Sequence, residues 1–318
     1  MKRLITSIFL FCLIFSSLSA QEMVMEKATQ KTAANQPIAN SLLWAISGNG
    51  LTDTSYLYGT IHLIGKSDYF LTDQTKAAFD KSEQITFEIN MANMNDMGTQ
   101  MGLMMKAFMN DGSTLSDLLD STAYAEVKAH FGKMGMNDMM WGMMERIKPM
   151  FLSVFGSMDM DMSGGGLNMG EMMSYEMEFM NMAEQQEKAT DGLETAAYQM
   201  SMFDSIPYQA QAEMLYESIK MESTEGSDQM DEMVKLYKKQ DLQGMMKMFA
   251  ADKQGIGQYE DLLLVGRNKN WIPVMQKMIK SQPTFFAVGA GHLGGPSGVV
   301  NLLKAEGFTL TPLNQRTL

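Results

Sequence analysis

Two segments near opposite ends of the chain share one local pattern that restricts the folds available to it. Each is an apolar run broken by a glycine, with a histidine three residues later and further glycine beyond. The first is YLYGTIHLIG, which contains His62, and the second is FFAVGAGHLGG, which contains His292. These are two of only three histidines in 318 residues. A fold that uses both in one site has to bring the two ends of the chain together.

Each histidine lies within a unit of strand, loop, helix and strand predicted from the hydrophobic pattern. Near the N-terminus, SLLWAISG and SYLYGTIHLI predict strands, LTDQTKAAFDKSEQ a helix with Thr72 as its N-cap, and ITFEINM an alternating strand. Near the C-terminus, WIPVMQKMIKSQ predicts a helix, TFFAVGA a buried strand, SGVVNLLKAEG a helix and FTLTPL a last strand. We therefore predict an α/β (mixed α+β) fold with a central mixed sheet supplied by both ends.

The start of the chain has the composition of a targeting signal. Lys2 and Arg3 precede an apolar run too short for a comfortable membrane span, and small residues follow up to Ala20. Residues 1–20 are therefore predicted to be a signal peptide, which places the mature protein in the periplasm or outside the cell without a membrane span. An uncleaved amphipathic anchor is the alternative. Residues 21–40 are polar and aperiodic, which predicts a flexible lead-in.

The remaining residues, 41–318, are predicted to form a single domain. Residues 41–90 and 265–318 supply the two halves of the sheet, and residues 91–264 form an almost wholly helical, methionine-rich insertion. Within this insertion, SMDMDMSGGGLNMG has low complexity and predicts a loop. The sequence does not indicate an oligomeric state.

Cysteine content and charge exclude several kinds of site and partner. Cys12 is the only cysteine and lies in the predicted signal peptide, so the mature chain has no disulfide, thiolate nucleophile or cysteine-ligated zinc. The formal net charge of −12 opposes binding to nucleic acid and to anionic membranes. It weakly favours cations, although an acidic surface that aids solubility is the simpler interpretation.

Methionine is unusually frequent, with 37 residues in the chain. Several segments of the insertion, among them MANMNDMGTQMGLMMKAFM, space methionine at the i, i+3, i+4 intervals of a helical stripe. Three interpretations are open: methionine replaces leucine in helix cores, lines a malleable groove for peptides or partner helices, or binds Cu(I) through its thioethers. Core packing is the preferred interpretation, because helical stripes usually face a core.

The two histidine loops are candidates for a metal site. Ligand sites in open α/β sheets lie beyond the carboxyl ends of strands, where His62 and His292 are both expected. Imidazole is a common ligand for Zn, Mn, Co and Fe. Glu88, on the face of ITFEINM opposite Ile85 and Phe87, is the natural third ligand, because a buried carboxylate needs a cation or hydrogen bonds. The alternative is that both histidines are hydrogen-bonded polar residues at strand ends.

Five segments together make the chain resemble the TraB/GumN family, which includes the Tiki proteases. In order from Leu42 to Leu313 they are LLWAISGNGLTDTSYLYGTIHLIG, ITFEIN, DGLETAAYQMSMFDSIPYQAQ, LLLVGRNKNWIPVMQKMI and FFAVGAGHLGGPSGVVNLLKAEGFTLTPL. The resemblance implies a fold related to the erythromycin-esterase/ChaN type, a mixed sheet wrapped by helices. For Tiki-like members it implies metal-dependent proteolysis supported by Mn or Co.

The resemblance also assigns roles to particular residues. It implies that His62, Glu88 and His292 hold a divalent metal, Mn or Co, with Zn as an alternative. Glu194 of GLET and the pair Arg267 and Asn268 of RNKNW match further recurrent positions and are expected in the catalytic site. We expect Glu194 to act as a general base and Arg267 to stabilise an oxyanion or clamp a substrate carboxylate. A structural salt bridge between Arg267 and Glu194 is the alternative.

The expected function is that of a metal-dependent peptidase or related hydrolase with a peptide or protein substrate. The alternative is a non-catalytic peptide- or partner-binding protein on the same scaffold, with a methionine-lined groove. One departure from the family is Asn90, where strand blocks often carry an aspartate, and an asparagine weakens metal binding if that aspartate takes part. The third histidine, His130, lies outside both frames and is expected to be an ordinary histidine.

Overall fold

The computed structural model describes residues 38–90, 97–156, 172–224, 226–252 and 255–313. The predicted signal peptide, most of the predicted lead-in and the low-complexity stretch SMDMDMSGGGLNMG lie outside these residues.

Strands lie mainly towards the two ends of the described chain, and helices dominate its middle. Its strands are β1 Leu43–Gly48, β2 Ser55–Thr60, β3 Ile64–Gly65, β4 Gln84–Ile89, β5 Met172–Met173, β6 Ala189–Glu194, β7 Thr284–Gly289 and β8 Phe308–Pro312.

The helices are numbered in the same way along the chain. They are α1 Asp73–Asp80, α2 Met97–Ala107, α3 Leu115–Leu118, α4 Ser121–Lys133, α5 Asp138–Met144, α6 Pro149–Gly156, α7 Tyr175–Gln185, α8 Ala196–Met202, α9 Tyr208–Thr224, α10 Gly226–Lys238, α11 Leu242–Ala251, α12 Gly266–Ser281 and α13 Val299–Ala305. A π-helical turn, Asp261–Val265, runs directly into α12, and a 3-10 turn, Ala290–His292, follows β7.

Six strands form one mixed sheet in the order β6-β4-β7-β2-β1-β8. The first four are parallel, whereas β1 pairs antiparallel with both β2 and β8. β3 and β5 form a separate antiparallel ribbon. The mixed α/β class is confirmed, and the predicted strands near both ends of the chain lie in this sheet.

The sheet has one strand more than the two end units supply. β6, with the sequence ATDGLE, comes from the predicted helical insertion and pairs with β4 at the edge of the sheet. Most of its residues are exposed or half-buried, because an edge strand has solvent on one side. Such a strand carries no apolar alternation, and the hydrophobic pattern therefore does not reveal it.

The central strands have the composition expected of strands covered on both faces. β2 (SYLYGT) is buried at every position, and β7 (TFFAVG) is buried at all but its last. Parallel strands inside a sheet require helices on both sides, so near-continuous burial replaces alternation here. In β4, by contrast, Ile85 and Phe87 share one face while Thr86 and Glu88 share the other, as predicted, and all four are buried.

The glycine of the first histidine frame is required by close packing between β2 and the turn after β7. Thr60 lies opposite Gly289 in the parallel register of the two strands. A methyl group on Gly59 would lie 3.0 Å from Cδ2 of Leu293 and 3.1 Å from Cα of Ala290. Glycine therefore lets the strand approach the backbone that carries the second histidine frame.

In the described part of the chain, the buried apolar side chains form three clusters. The largest surrounds the sheet and contains side chains from both ends of the chain. A second joins helices of the insertion, and its buried members are Leu115, Val127, Phe131, Met136, Trp141, Leu152, Ala212, Leu215 and Ile219. A third, smaller cluster consists of Met150, Ile206 and Leu263. The division of the chain into a single domain stays a prediction.

Candidate functional site

Four parallel strands end at the same edge of the sheet, and each brings one predicted site residue there. Glu194 is the last residue of β6, and Glu88 is the penultimate residue of β4. His292 lies in the turn after β7, and His62 follows β2 by two residues. Because these strands are neighbours in the order β6-β4-β7-β2, the sheet places the four side chains side by side.

Three of these side chains surround Gly289, the glycine of the second histidine frame. A methyl group placed on Gly289 would lie 3.2 Å from Oε1 of Glu88. The same position is 3.7 Å from Cδ2 of His292 and 3.8 Å from Nε2 of His62. Because Gly289 has no side chain, a space remains beside it, and both imidazoles and the carboxylate converge on this space. The backbone N–H of Gly289 donates to Oε1 of Glu88 at 2.8 Å, which holds the carboxylate in place.

Arg267, in the first turn of α12, is the buried cation of the site. Its Nη2 lies 2.5 Å from Oε2 of Glu88 and 2.7 Å from Oε1 of Glu194, and its Nε donates to the same Glu194 oxygen at 2.9 Å. All three side chains are at least nine-tenths buried. The carboxylates of Glu88 and Glu194 share the one guanidinium of Arg267. These three buried side chains together therefore carry one excess negative charge.

The hydrogen bonds of His292 define its tautomer. Nη1 of Arg267 lies 3.1 Å from Nε2 of His292, and because a guanidinium only donates, Nε2 accepts. The proton is then on Nδ1, which donates to Oδ1 of Asn268 at 2.6 Å. The Asn268 amide is oriented by its own donation to the backbone oxygens of Ser297 and His292, at 2.9 and 3.3 Å. Asn268 therefore directs the Nε2 lone pair of His292 into the site.

The buried charges shift the pKa values of Glu88 and His292 in the directions that keep one charged and the other neutral. Burial alone would raise the pKa of Glu88, but its interactions with His292, Arg267 and His62 and the hydrogen bond from the Gly289 N–H lower it to about 2. Burial lowers the pKa of His292 to about 4, and the nearby Glu88 only partly opposes this effect. At neutral pH the site thus holds a carboxylate and a neutral imidazole.

Glu176 is a partner of His62 that the sequence did not identify. It lies in the first turn of α7, where Oε1 accepts from Nδ1 of His62 at 2.9 Å and from Oγ1 of Thr60 at 2.7 Å. Oε2 accepts from the hydroxyl of Ser174 at 3.0 Å. A carboxylate bound to Nδ1 leaves Nε2 as the ring atom directed towards Gly289. The segment SYEMEF gave no signal beyond that of a helix start.

The same contact raises the pKa of His62. The hydrogen bond that His62 donates to Glu176 raises this pKa to about 9, in spite of an opposing effect of desolvation. The His62 side chain is nevertheless 70% exposed, whereas that of Glu176 is 16% exposed. Near neutral pH His62 is therefore an accessible imidazolium paired with a buried carboxylate.

Glu194 and Arg267 form the salt bridge that the sequence left as the alternative role for this pair. Oε1 of Glu194 accepts from Arg267, and Oε2 accepts from the indole N–H of Trp271 at 2.9 Å. The guanidinium also lies over the Trp271 ring, 4.8 Å from its centroid. Both carboxylate oxygens have protein partners in this arrangement, so the general-base role of Glu194 stays a prediction.

Gln199 contacts the site, Asn90 follows the strand that carries Glu88, and His130 lies in the helical insertion. Gln199, on α8 just after the GLET segment, donates to Oε2 of Glu88 at 3.1 Å and was not identified from the sequence. Asn90 follows β4 directly and is half-buried. His130 lies on α4, which belongs to the helical insertion rather than to this sheet edge.

The donor types at this edge fit a divalent metal ion, but their present contacts compete with one. Two imidazoles and a carboxylate form a ligand set suited to Mn, Co or Zn. The Nε2 lone pair of His292 already accepts a hydrogen bond from Arg267. The carboxylate of Glu88 is also bonded to Arg267, and the ring of His62 is bonded to Glu176. Among the residues that the structure describes, no group of three or more His, Cys, Asp or Glu side chains is arranged to hold an ion.

Comparison with known proteins places the chain in a family. The sequence profile of the TraB/PrgY/gumN family matches residues 42–312. The chain belongs to the TraB/PrgY/gumN family. Within this TraB/PrgY/gumN match lie all six predicted site residues, from His62 to His292.

Two curated relatives carry the name Metalloprotease TIKI1. The protein from Danio rerio is 24% identical over 336 aligned positions, which cover 90% of this chain and 66% of the relative. The protein from Homo sapiens is 22% identical over 347 positions, which cover 93% of this chain and 66% of the relative. The TraB/PrgY/gumN chain described here thus spans slightly less than two thirds of the length of these relatives.

No solved structure is significantly similar to this member of the TraB/PrgY/gumN family. In the described part of the chain, no helix combines the length and the apolar character needed to cross a membrane.

Proposed function

We propose that this protein is a hydrolase of peptides or proteins that depends on a divalent metal ion. The observation that carries the proposal is the convergence of His62, Glu88 and His292 around Gly289, at the carboxyl ends of adjacent parallel strands. The name that both curated relatives carry, metalloprotease, supports the same chemistry. A divalent ion in such a site polarises a carbonyl group and lowers the pKa of a bound water to about 7.

Three residues would hold the ion: His292 through Nε2, His62 through Nε2 once that atom has released its proton, and Glu88 through its carboxylate. Mn or Co is the expected metal, with Zn as the alternative. Asn268 fixes the tautomer of His292, and Glu176 orients the ring of His62 through Nδ1. Such outer partners typically change metal affinity 10- to 100-fold when they are removed.

The charge of the buried group supports cation binding. Glu88 and Glu194 share the single guanidinium of Arg267, and one negative charge remains without a buried counter-charge. His292 has one lone pair on Nε2, so its binding to an ion requires release from the Arg267 N–H. Glu194 and Trp271 hold the Arg267 side chain through contacts that do not involve His292, and these contacts keep it nearby.

The protein is proposed to act after export, in the periplasm or outside the cell, with residues 1–20 as its signal peptide. This part of the proposal rests on the basic, apolar and small-residue regions of that segment. Mass spectrometry of the N-terminus of the protein from an extracytoplasmic fraction tests it. Cleavage near Ala20 supports export, and an intact N-terminus in the cytoplasmic fraction contradicts it.

Peptide-library cleavage with added Mn, Co or Zn tests the catalytic proposal. The variants are His62→Ala, Glu88→Gln and His292→Ala, and the matched control is His130→Ala, which removes the third histidine outside the site. We expect cleavage by the wild type and the control, and its loss in the three site variants. Ion binding can be monitored by the visible absorption of bound Co. We expect the wild type and the control to bind Co and the three site variants to lose this binding.

The results of this experiment also distinguish the proposed hydrolase from a non-catalytic binding protein. Equal cleavage by all variants, or metal binding that survives in His62→Ala and His292→Ala, contradicts the proposed site. If peptides bind without cleavage under every metal condition, and binding is unchanged in the site variants, the protein is a binding protein on the same scaffold.

A further inference from the structure

Methionine supplies most of the exposed large hydrophobic side chains among the described residues. Nine large hydrophobic side chains are exposed among the described residues, and eight of them are methionines, with Tyr198 as the ninth. Six methionines lie in the buried core, where leucine, isoleucine and phenylalanine are each more frequent. Core packing, the preferred interpretation, therefore describes the six buried methionines but not these eight exposed ones. Apolar area alone does not explain the pattern, because leucine, isoleucine or phenylalanine would supply it equally well.

Four of the eight lie on α2 and share one face of it. Met97, Met101, Met104 and Met105 are exposed to 79%, 63%, 56% and 68%. With 3.6 residues per turn, these positions fall within an arc of roughly 100° around the helix axis. Leu103 is the buried residue of α2 and lies outside that arc. The helix thus packs through its leucine side and presents a face made of thioethers, which we call the α2 methionine face.

Met101 is the centre of this face. Met97 lies four residues before it, Met104 three residues after it and Met105 four residues after it. Residues at these spacings have Cβ atoms about 5–6 Å apart on a helix surface. Methionine side chains are long, unbranched and flexible, so neighbouring sulfur atoms can approach one another.

The chemistry of the face selects a particular kind of ligand. A thioether is a neutral, soft donor that favours Cu(I), whereas Mg, Ca and Mn favour carboxylate and carbonyl oxygen. The only charged side chain of α2 is that of Lys106, which lies outside the methionine arc, so the helix offers no carboxylate to a hard cation. We propose that the α2 methionine face binds a soft monovalent metal ion, Cu(I), with Met101 as the central ligand.

This site is separate in position and chemistry from the sheet edge. His62, Glu88 and His292 provide nitrogen and oxygen donors, and none of them belongs to α2. Cu(I) binding is therefore independent of hydrolase activity, and either proposal can fail alone.

Anaerobic titration of the purified full chain with Cu(I), in competition with a chromogenic Cu(I) chelator, tests the proposal. The test variants are Met101→Leu and the quadruple substitution of the α2 methionine face by leucine, which keep apolar area and helix propensity but remove sulfur. The matched control is Met139→Leu with Met143→Leu, an exposed i, i+4 pair on α5. Circular dichroism verifies that each variant folds.

We expect Met101→Leu to weaken the tightest Cu(I) equivalent at least tenfold and the quadruple variant to weaken it at least a hundredfold. The α5 control and His62→Ala should retain wild-type affinity. With ¹³C-methyl-labelled methionine, the ion should shift a set of methyl signals that is missing from the quadruple variant. Ag(I), which is not oxidised by air, should shift the same signals.

Three results would overturn the proposal. The first is equal Cu(I) affinity in the wild type and the quadruple variant. The second is loss of Cu(I) binding in His62→Ala or His292→Ala with no loss in the quadruple variant. The third is no competitive Cu(I) binding together with equal binding of a hydrophobic probe to the wild type and the quadruple variant, which would make the face an apolar docking surface.

Discussion

Nη1 of Arg267 lies 3.1 Å from Nε2 of His292, so the ring nitrogen directed into the site accepts a hydrogen bond from the only buried guanidinium described there. The same guanidinium contacts Glu88 and Glu194. Arg267 therefore holds together residues from β4, β6 and the turn after β7. The contacts of this side chain determine both the stability of the site and the availability of His292.

Removal of Arg267 is expected to destabilise the fold strongly. In Arg267→Met, Glu88 and Glu194 lose their shared counter-charge while buried, and breaking a buried pair in this way costs about 3–5 kcal/mol. Urea unfolding monitored by circular dichroism measures the change. Lys128→Met, which breaks an exposed pair with Asp138, is the control and should leave the unfolding midpoint nearly unchanged. Similar midpoints for the two variants would show that the buried cluster contributes little.

His292 should make the protein less stable as the pH falls from about 6.5 to 4. Its pKa is about 4 in the folded chain and 6.5 in the unfolded chain, so only the unfolded state takes up a proton in this window. The contribution of His292 to the free energy of unfolding is fully present above pH 6.5. Below that pH it decreases by up to about 1.4 kcal/mol per pH unit. The wild type and His292→Gln, unfolded at several pH values, should therefore differ in slope. Parallel curves would contradict a neutral, buried His292.

His62 and His292 should be separable by their titration in NMR spectra. The ring signals of His292 should stay unchanged from pH 8 to pH 5, because burial lowers its pKa to about 4. Those of His62 should move near pH 9, because Glu176 stabilises the imidazolium. Single-histidine substitutions assign the signals. Titration of both residues near pH 6.5 would show that neither contact persists in solution.

Glu176→Gln should lower the pKa of His62 towards its usual value and weaken ion binding. The variant removes the charge that stabilises the imidazolium but keeps a side chain that can bond to Thr60 and Ser174. We expect 10- to 100-fold weaker Co binding above pH 9, where His62 is neutral in both proteins. Glu184→Gln, an exposed change on the same helix, is the control. Unchanged Co affinity together with a lowered pKa would limit Glu176 to an electrostatic role.

Gly289→Ala should fold but fail to bind the ion. Gly289 has φ −53°, which alanine adopts without strain, so the backbone does not require glycine. The added methyl group would lie 3.2 Å from Glu88 Oε1 and fill the space between the two imidazoles. Co titration should show at least tenfold weaker binding. Gly142→Ala is the control, because no atom lies within 4 Å of a methyl group added there. This variant should bind Co like the wild type and gain up to about 1 kcal/mol of stability. Wild-type affinity in Gly289→Ala would place the ion elsewhere.

The sequence predicted the parts of the site that follow from strand pattern. Alternation in ITFEINM placed Glu88 opposite Ile85 and Phe87, and the repeated histidine frames placed His62 and His292 beyond strand ends. These inferences succeed because side-chain direction in a strand has a period of two, and because parallel strands end at a common edge.

Contacts made by the insertion could not be predicted from local pattern. Glu176 and Gln199 are ordinary polar residues of helices, and nothing in their neighbours indicates that they contact His62 and Glu88. The methionine stripe of α2 had the correct period, but a period identifies a face without telling whether that face is buried. Burial depends on what packs against the helix, and that is a property of the tertiary structure.

The position of β7 within the sheet has a consequence for the order of assembly during synthesis. β7 is the strand that joins the β1–β2 pair to the β4–β6 pair, yet it is made from residues 284–289, after all four of these strands. A nascent or truncated chain that stops before it has two unconnected strand pairs and lacks His292. The sheet edge that gathers the proposed metal ligands therefore cannot assemble until β7 and the turn after it have been synthesised.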